Sequence, residues 1–337
     1  MVPQAKLVVA FLILSSALII QNSEAAVDGI ATYWGQYTNE TEGTLAVACA
    51  TGLYSFINIA YVNVFGEGQT LGLSLPGHGV NYTLLGEEIK TCQSQGVKIL
   101  VSLGGPSGEY HLASDGDADR VAHQLWNAVL EGDDAGYAER IFGDAVLDGV
   151  DLDIQLGSPI EYEVLAQILK DLTKQGTNTY YLSAAPKCSS FNNSDAYLWT
   201  AVQTGLFDFI WVKFYNDTSC QYNTDTAAGH DTAAGHDAFY LSLYEWIVSL
   251  HEGNKLFIGI PASNETDNSP LGGYIPVEVL NDKILSVITT SPKFGGINVW
   301  NRLYDRMTNY SSSIILEYVN SVTKYLPLRT KFMYQNA

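Results

Sequence analysis

Short apolar runs recur along the chain and are separated by helix-length segments. Eight of these runs are rich in β-branched and aromatic residues and mostly end in Gly, Pro or Asn, which is typical of buried strands. They are GIATYWG (29–35), YSFINIAYV (54–62), KILVSLGG (98–105), GVDLDIQ (149–155), TYYLSAAP (179–186), FDFIWVKFY (207–215), KLFIGIPA (255–262) and GGINVWN (295–301).

Helical patterns occupy the segments between the runs. The clearest predicted helices span 84–95, 119–130, 162–175, 239–251 and 277–289. Continuous apolar strands that alternate with helices predict a parallel sheet covered on its outer face. Eight such strands close into one barrel, so the predicted fold class is α/β, a single (β/α)8 TIM barrel over 27–323. Functional residues are then expected at the C-terminal ends of the strands.

The run DGVDLDIQ (148–155) carries polar residues at alternate positions. Successive side chains of a strand point to opposite faces, so Asp151, Asp153 and Gln155 share one face. Val150, Leu152 and Ile154 then pack against the opposite layer. Two carboxylates and one amide are thus predicted to converge inside the barrel.

The N-terminus has the pattern of a secretory signal peptide over residues 1–26. Lys6 precedes an apolar run, 7–20, and small residues follow at 23–26. That run is shorter than the roughly 20 residues a membrane span requires. We therefore expect a secreted protein, extracellular or vacuolar, that does not span a membrane. The formal net charge of -19 argues against nucleic acid or anionic membranes as partners.

Glycosylation and cysteine patterns agree with this route. N-x-S/T sequons, each a predicted glycosylation site, occur at Asn39, Asn81, Asn192, Asn216, Asn264 and Asn309. The four cysteines, Cys49, Cys92, Cys188 and Cys220, favour two disulfides over metal ligands in an oxidising compartment. We therefore expect no metal centre and no cofactor.

Several long motifs occur in one order along the chain. They are YWGQ (33–36), NIAYVNVFG (58–66), SLGGPSGEY (102–110), DGVDLDIQ (148–155), LSAAPKC (182–188), TGLFDFIWVKFYND (204–217), SCQY (219–222) and PKFGGINVW (292–300). On these motifs the chain resembles the plant class III chitinase-like proteins of glycoside hydrolase family 18. In active members, the resemblance implies, a Glu protonates the glycosidic oxygen and the acetamide of the N-acetylglucosamine substrate attacks the anomeric carbon.

The resemblance assigns roles to residues at the strand ends. Asp153 matches the Asp that stabilises the acetamide, and Asp151 matches its supporting Asp. Tyr215 matches the Tyr that hydrogen-bonds the acetamide carbonyl, and Trp300 the floor of the subsite. Gln155 stands where the family has its acid, and a carboxamide has no proton to give. General acid catalysis contributes about 10²–10⁴ in rate, so we expect a chitinase-like protein that is inactive.

Lys213 is a second departure from the family, whose active members carry a neutral Gln at this position. The period of two in FIWVKFY (209–215) places Lys213 on the same face as Trp211 and Tyr215. Lys213 is thus expected to enter the barrel and pair with Asp151 or Asp153. The alternative is a lysine at the rim that extends into solvent.

Residues near the strand ends form a candidate sugar site. The set comprises Tyr33, Gln36, Tyr61, Gly105, Tyr110, Lys213, Tyr215, Asn216 and Trp300. Aromatic faces stack on the apolar face of a pyranose, so lectin-like binding of chitin or N-acetylglucosamine oligomers is one hypothesis. In the opposing interpretation several of these aromatic residues are buried core residues.

The resemblance also implies the pairing of Cys49 with Cys92 and of Cys188 with Cys220. The family's third bridge is missing, since no cysteine occurs around 79–84. Acidic residues at 115, 117 and 119 and at 131, 133 and 134 leave weak calcium binding open, although they form no EF-hand loop. A DTAAGH repeat (225–236) follows the sixth strand, and a tail follows at 324–337.

Two further functions stay open at this point. One is a seed storage protein or an inhibitor that binds a glycosidase through the barrel exterior. The other is a weakly active endochitinase that hydrolyses β-1,4 N-acetylglucosamine linkages. We expect a monomer in each case.

Overall fold

The barrel is complete in the computed structural model, which describes residues 28–314 except 80–81, 195, 224–232 and 265–271. The strands are β1 (Gly29–Trp34), β2 (Phe56–Phe65), β3 (Gly72–Leu73), β4 (Lys98–Gly105), β5 (Glu109–Tyr110), β6 (Gly149–Ile154), β7 (Tyr181–Ala184), β8 (Phe209–Lys213), β9 (Lys255–Pro261) and β10 (Phe294–Trp300). Eight of them run parallel in the order β1-β10-β9-β8-β7-β6-β4-β2, and β1 also pairs with β2. The sheet therefore closes, which confirms the predicted (β/α)8 barrel.

Two short strands add to β2 outside the barrel order. β3 pairs antiparallel with β2, and β5 pairs parallel with it. The second predicted strand accordingly continues beyond Val62 to Phe65. The expected signal peptide (1–26), Asn81, most of the DTAAGH repeat and the tail (324–337) lie outside the described residues. No helix within the described ranges is long and apolar enough to cross a membrane.

The five predicted helices are present with shifted ends. They are α2 (Tyr82–Ser94), α3 (Asp115–Val129), α4 (Tyr162–Thr173), α6 (Ala233–Ser249) and a helical segment made of α7 (Val277–Val279), a π-helical turn (Leu280–Leu285) and α8 (Ser286–Ile288); α1 (Leu45–Cys49), α5 (Trp199–Val202) and α9 (Arg302–Thr308) are additional. Helix α3 begins earlier than expected because Ser114 caps it, accepting from the backbone N–H of Asp117.

The period of two sorts the strand residues between two layers. Val150, Leu152 and Ile154 join the large core between sheet and helices, as predicted. The inward side chains at the N-terminal ends of the strands are aromatic. Phe56 lies 4.6 Å from Phe209 between ring centroids, and Trp211 lies 4.4 Å from Phe257. These rings fill the lower barrel, so the polar inward residues lie toward the C-terminal end.

Both disulfides implied by the resemblance are formed. Cys49 bonds to Cys92 and links α1 to α2. Cys188 bonds to Cys220 and joins the turn after β7 to the loop after β8. The second bridge therefore restrains two segments that follow the C-terminal ends of adjacent strands.

Candidate active site

Asp151 lies at the centre of a network of hydroxyl groups inside the barrel. Its side chain is fully buried. The carboxylate accepts hydrogen bonds from Tyr33 Oη at 3.0 Å, Ser102 Oγ at 2.7 Å and Ser183 Oγ at 2.7 Å. Burial, and then the charge of Asp153, raise the pKa of Asp151 to about 6, while the hydroxyl donors lower it in part. Asp151 is thus held in place by three hydroxyl donors.

Asp153 is occupied by three donors from the protein itself. Tyr61 Oη donates to Oδ2 at 2.9 Å, and Gln155 Nε2 donates to the same oxygen at 3.0 Å. Lys213 Nζ lies 2.5 Å from Oδ1. Lys213 is 6% exposed and Asp153 2% exposed, so the ion pair is buried. The expectation that Lys213 enters the barrel and reaches one of the two carboxylates is confirmed, and its partner is Asp153.

Gln155 follows β6 directly and is partly buried at the barrel mouth. Its backbone N–H donates to Tyr110 Oη at 3.1 Å, and that hydroxyl donates to the carbonyl of Gly105 at 2.5 Å. The residue is therefore held at its backbone by Tyr110 and at its carboxamide by Asp153. Gln155 thus presents a neutral hydrogen-bonding group beside Asp153.

The described titratable groups around Gln155 are poorly suited to donate a proton. Burial and the nearby carboxylates raise the pKa of Tyr33, Tyr61 and Tyr215 well above the ordinary tyrosine value, which makes them poor proton donors. Asp151 has a pKa suited to proton transfer, but its carboxylate is sealed among hydroxyl groups. Lys213 is fixed on Asp153.

The other predicted site residues divide between the interior and the mouth. Tyr33 and Tyr61 are buried and donate to the carboxylates, and Gly105 is buried against the Tyr61 ring. The partly or fully exposed members at the mouth are Gln36, Gln155, Tyr215, Asn216 and Trp300. Direct contact of any of these residues with sugar stays a prediction.

Three of the residues at the mouth have a defined local setting. Trp300 packs against Tyr33 with ring centroids 5.4 Å apart. Gln36 donates from Nε2 to the carbonyl of Ala60 at 2.5 Å. Asn216 is exposed and has a positive φ of 53°, a conformation that Asn tolerates better than most residues. These three residues leave partly or fully exposed side chains at the mouth.

Ser102 and Ser183 are functional neighbours that the sequence reasoning missed. Both are fully buried and donate to Asp151. Each occupies an inward position of a predicted strand, KILVSLGG or TYYLSAAP. The alternation that placed the carboxylates inside the barrel also places these hydroxyls there.

The remaining polar predictions lie away from this network. The sequon residues Asn39, Asn192, Asn216, Asn264 and Asn309 are exposed, and their glycosylation stays a prediction. Asp117 is buried and accepts from the backbone N–H groups of Glu67 and Ala113, so this member of the acidic 115–119 run has a structural role. Among the described residues, the cluster with metal-ligand spacing is Cys188, Asp217 and Cys220, whose sulfurs form a disulfide.

Comparisons with known proteins agree with this architecture. A family profile described as Glycosyl hydrolases family 18 matches residues 29–284. "Endochitinase Ziz m 1.0101" of Ziziphus mauritiana is 72% identical over 338 residues, covering 100% of both chains. The structure of a xylanase-alpha-amylase inhibitor protein, XAIP-I, in complex with trehalose is similar with a TM-score of 0.73 and 38% identity, covering 85% of this chain and 97% of that one. A tamarind chitinase like lectin has a TM-score of 0.69 and 30% identity, covering 85% and 98%. The chain belongs to glycosyl hydrolases family 18, among its plant chitinase-like members.

Proposed function

We propose that this protein is a chitinase-like protein without appreciable hydrolytic activity that binds N-acetylglucosamine oligomers at the barrel mouth. The observation that carries the first part is Gln155 at the end of β6, hydrogen-bonded to Asp153. A glycosidic oxygen is a poor leaving group without a proton. Loss of the general acid removes about 10²–10⁴ in rate.

The buried ion pair supports the same proposal independently. In the substrate-assisted reaction, Asp153 has to face the sugar acetamide and stabilise it as it attacks. Here Lys213 Nζ occupies Oδ1, while Tyr61 and Gln155 occupy Oδ2. A sugar at the cleavage point would therefore have to displace a buried ammonium group. The free energy of this displacement would raise the barrier to hydrolysis further, beyond the effect of the missing proton donor.

Sugar binding at the mouth is supported by what remains accessible there. Trp300 and Tyr215 offer aromatic faces and Asn216 offers an exposed carboxamide. Among the similar structures, one is named a lectin and one is described as a complex with trehalose. We therefore place the ligand on Trp300, Tyr215 and Asn216, outside the carboxylate network.

Isothermal titration calorimetry with chitotriose tests binding at the mouth. We expect measurable heat with the native protein and a loss of affinity of at least tenfold for Trp300→Ala. Tyr244→Ala is the matched control, since Tyr244 is an aromatic residue 64% exposed on helix α6 and is not among the residues of the candidate sugar site. Absence of heat with the native protein, or equal effects of both substitutions, would contradict the lectin-like proposal.

A glycosidase inhibitor that uses the barrel exterior is the second candidate. Helix α6 carries four exposed apolar residues, Tyr240, Leu241, Tyr244 and Val248, three of them spaced four apart. The similar structure XAIP-I is named an inhibitor of xylanase and α-amylase. Inhibition assays with xylanase and with α-amylase test this candidate function. Absence of inhibition at micromolar concentrations of the protein would contradict it. A protein with neither ligand nor target enzyme would leave storage as its function.

Two remaining alternatives concern activity and destination. A weakly active endochitinase is supported by the relative of 72% identity that bears that name, and an assay with chitin oligomers tests it. Secretion, to the extracellular space or vacuole, is proposed from the signal pattern at 1–26. N-terminal sequencing of the mature protein should begin at Val27, and a retained Met1 would contradict cleavage.

A further inference from the structure

The barrel interior contains polar groups that the carboxylate network does not use. Asn58 on β2, Asn298 on β10 and Trp211 on β8 are all buried. Within the described part of the chain, neither carboxamide nor the Trp211 Nε1–H has a hydrogen-bond partner in the protein. Buried polar groups are nearly always hydrogen-bonded, either to protein or to ordered water, because an unsatisfied one is costly.

The neighbours of the two asparagines offer them no partner. Asn298 lies between Ala31 and Gly259 in the sheet, and neither has a polar side chain. Asn58 lies between Tyr33 and Leu100. The Tyr33 hydroxyl is already donated to Asp151, and Leu100 is apolar. The carboxamides therefore face inward without a protein group to receive them.

Strand register places these groups at one height in the barrel. Because barrel strands tilt, residues at equal height are offset from the pairing register by about one position per strand. The alignments across two strands are Asn58 with Leu100 and Gly149, Asp151 with Ser183 and Phe209, Trp211 with Phe257 and Gly296, and Asn298 with Ala31 and Phe56. Each alignment ends two positions before the next polar group.

Moving two strands around the barrel and two residues along the chain leads from Asn58 to Asp151, Trp211 and Asn298, and then back to Asn58. Asn58, Asp151, Trp211 and Asn298 therefore form a single layer of four side chains from alternate strands, the arrangement typical of such barrels. In most barrels this layer is apolar and branched. Here all four members carry polar atoms, and three of them have unsatisfied ones.

We propose that this layer binds ordered water, held between Asn58, Trp211 Nε1 and Asn298 at the height of Asp151. A water molecule donates two hydrogen bonds and accepts two. The indole N–H donates, and each carboxamide both donates and accepts, so the three groups match the needs of water. A metal cation does not fit this set, because the indole and both amide nitrogens present hydrogens.

Crystallography of the full-length native protein, at a resolution that locates waters, tests the inference directly. We expect density within hydrogen-bond distance of at least two of the three side chains. An apolar void at this position, or an Asn58 carboxamide bonded directly to Asn298, would overturn it.

A double-mutant cycle keeps the test independent of crystal quality. Asn58→Leu, Asn298→Leu and the double variant are compared by urea unfolding. If one water cluster serves both residues, each single variant lowers the unfolding midpoint, and the double variant loses less than the sum of the two. Stabilisation by either single variant would show that the groups are unsatisfied and dry, and strictly additive losses would show that they share no water.

Discussion

Replacing Lys213 by Met removes the ammonium group from the barrel while keeping most of the aliphatic chain. The Coulomb attraction of two unit charges 2.5 Å apart is about 7 kcal/mol at an effective dielectric constant of about 20. Tyr61 and Gln155 still donate to Asp153 in the variant and offset part of this loss. Breaking one partner of a buried pair typically costs about 3–5 kcal/mol, and that is the expected loss of unfolding free energy.

Urea unfolding of four proteins provides the assay: native, Lys213→Met, Asp153→Asn and the double variant. The double variant removes both charges together and should recover at least half of the loss caused by Lys213→Met. Lys170→Met is the matched control, because Lys170 pairs with Asp208 at 2.6 Å but both side chains are partly exposed, so its expected loss is below about 1 kcal/mol. Equal losses for Lys213→Met and Lys170→Met would refute the buried pair.

Two further predictions follow from the same network and its supporting loops. The pKa of Asp151 is raised from 3.8 to about 6, so the native state binds this proton more tightly than the unfolded state. Native stability relative to Asp151→Asn should therefore fall by about 3 kcal/mol in total as pH rises from below about 3 to above about 7, with about 2 kcal/mol of the loss between pH ~4 and ~6, measured by unfolding at each pH; a difference that grows with pH would contradict the raised pKa. Replacing both Cys188 and Cys220 by Ala opens a loop with a separation of 32 residues and should cost about 4 kcal/mol, measured as a lower midpoint than that of the native protein. An unchanged midpoint would show that this bridge does not restrain the unfolded chain.

Most of the correct predictions about the site came from the alternation of side chains between the two faces of each strand. This alternation placed Asp151, Asp153 and Lys213 inside the barrel, whereas the barrel itself was predicted from eight apolar runs that alternate with helical segments. The alternation could not identify which carboxylate Lys213 meets, because both lie on the inner face. That choice depends on barrel tilt, which brings positions on non-adjacent strands to similar heights.

The aromatic residues show where sequence reasoning stops. Tyr33 and Trp300 both lie near the ends of strands and both suit sugar stacking, yet Tyr33 is 1% exposed and spends its hydroxyl on Asp151. Trp300 remains partly exposed. The two residues differ in how deep their side chains lie in the barrel, and the sequence pattern does not show this depth. The extension of β2 to Phe65 was missed for a related reason, because Phe65 pairs with Tyr110 of β5, a residue distant in sequence.

Hydrolysis of chitin oligomers tests the central claim most directly. The assay compares the native protein with Gln155→Glu, Lys213→Gln and the double variant, each checked for native stability. We expect no turnover by the native protein or by Lys213→Gln, and turnover by the double variant, because it regains the acid and frees Asp153 from its ammonium partner. Turnover by the native protein at the rate of an active endochitinase would contradict it.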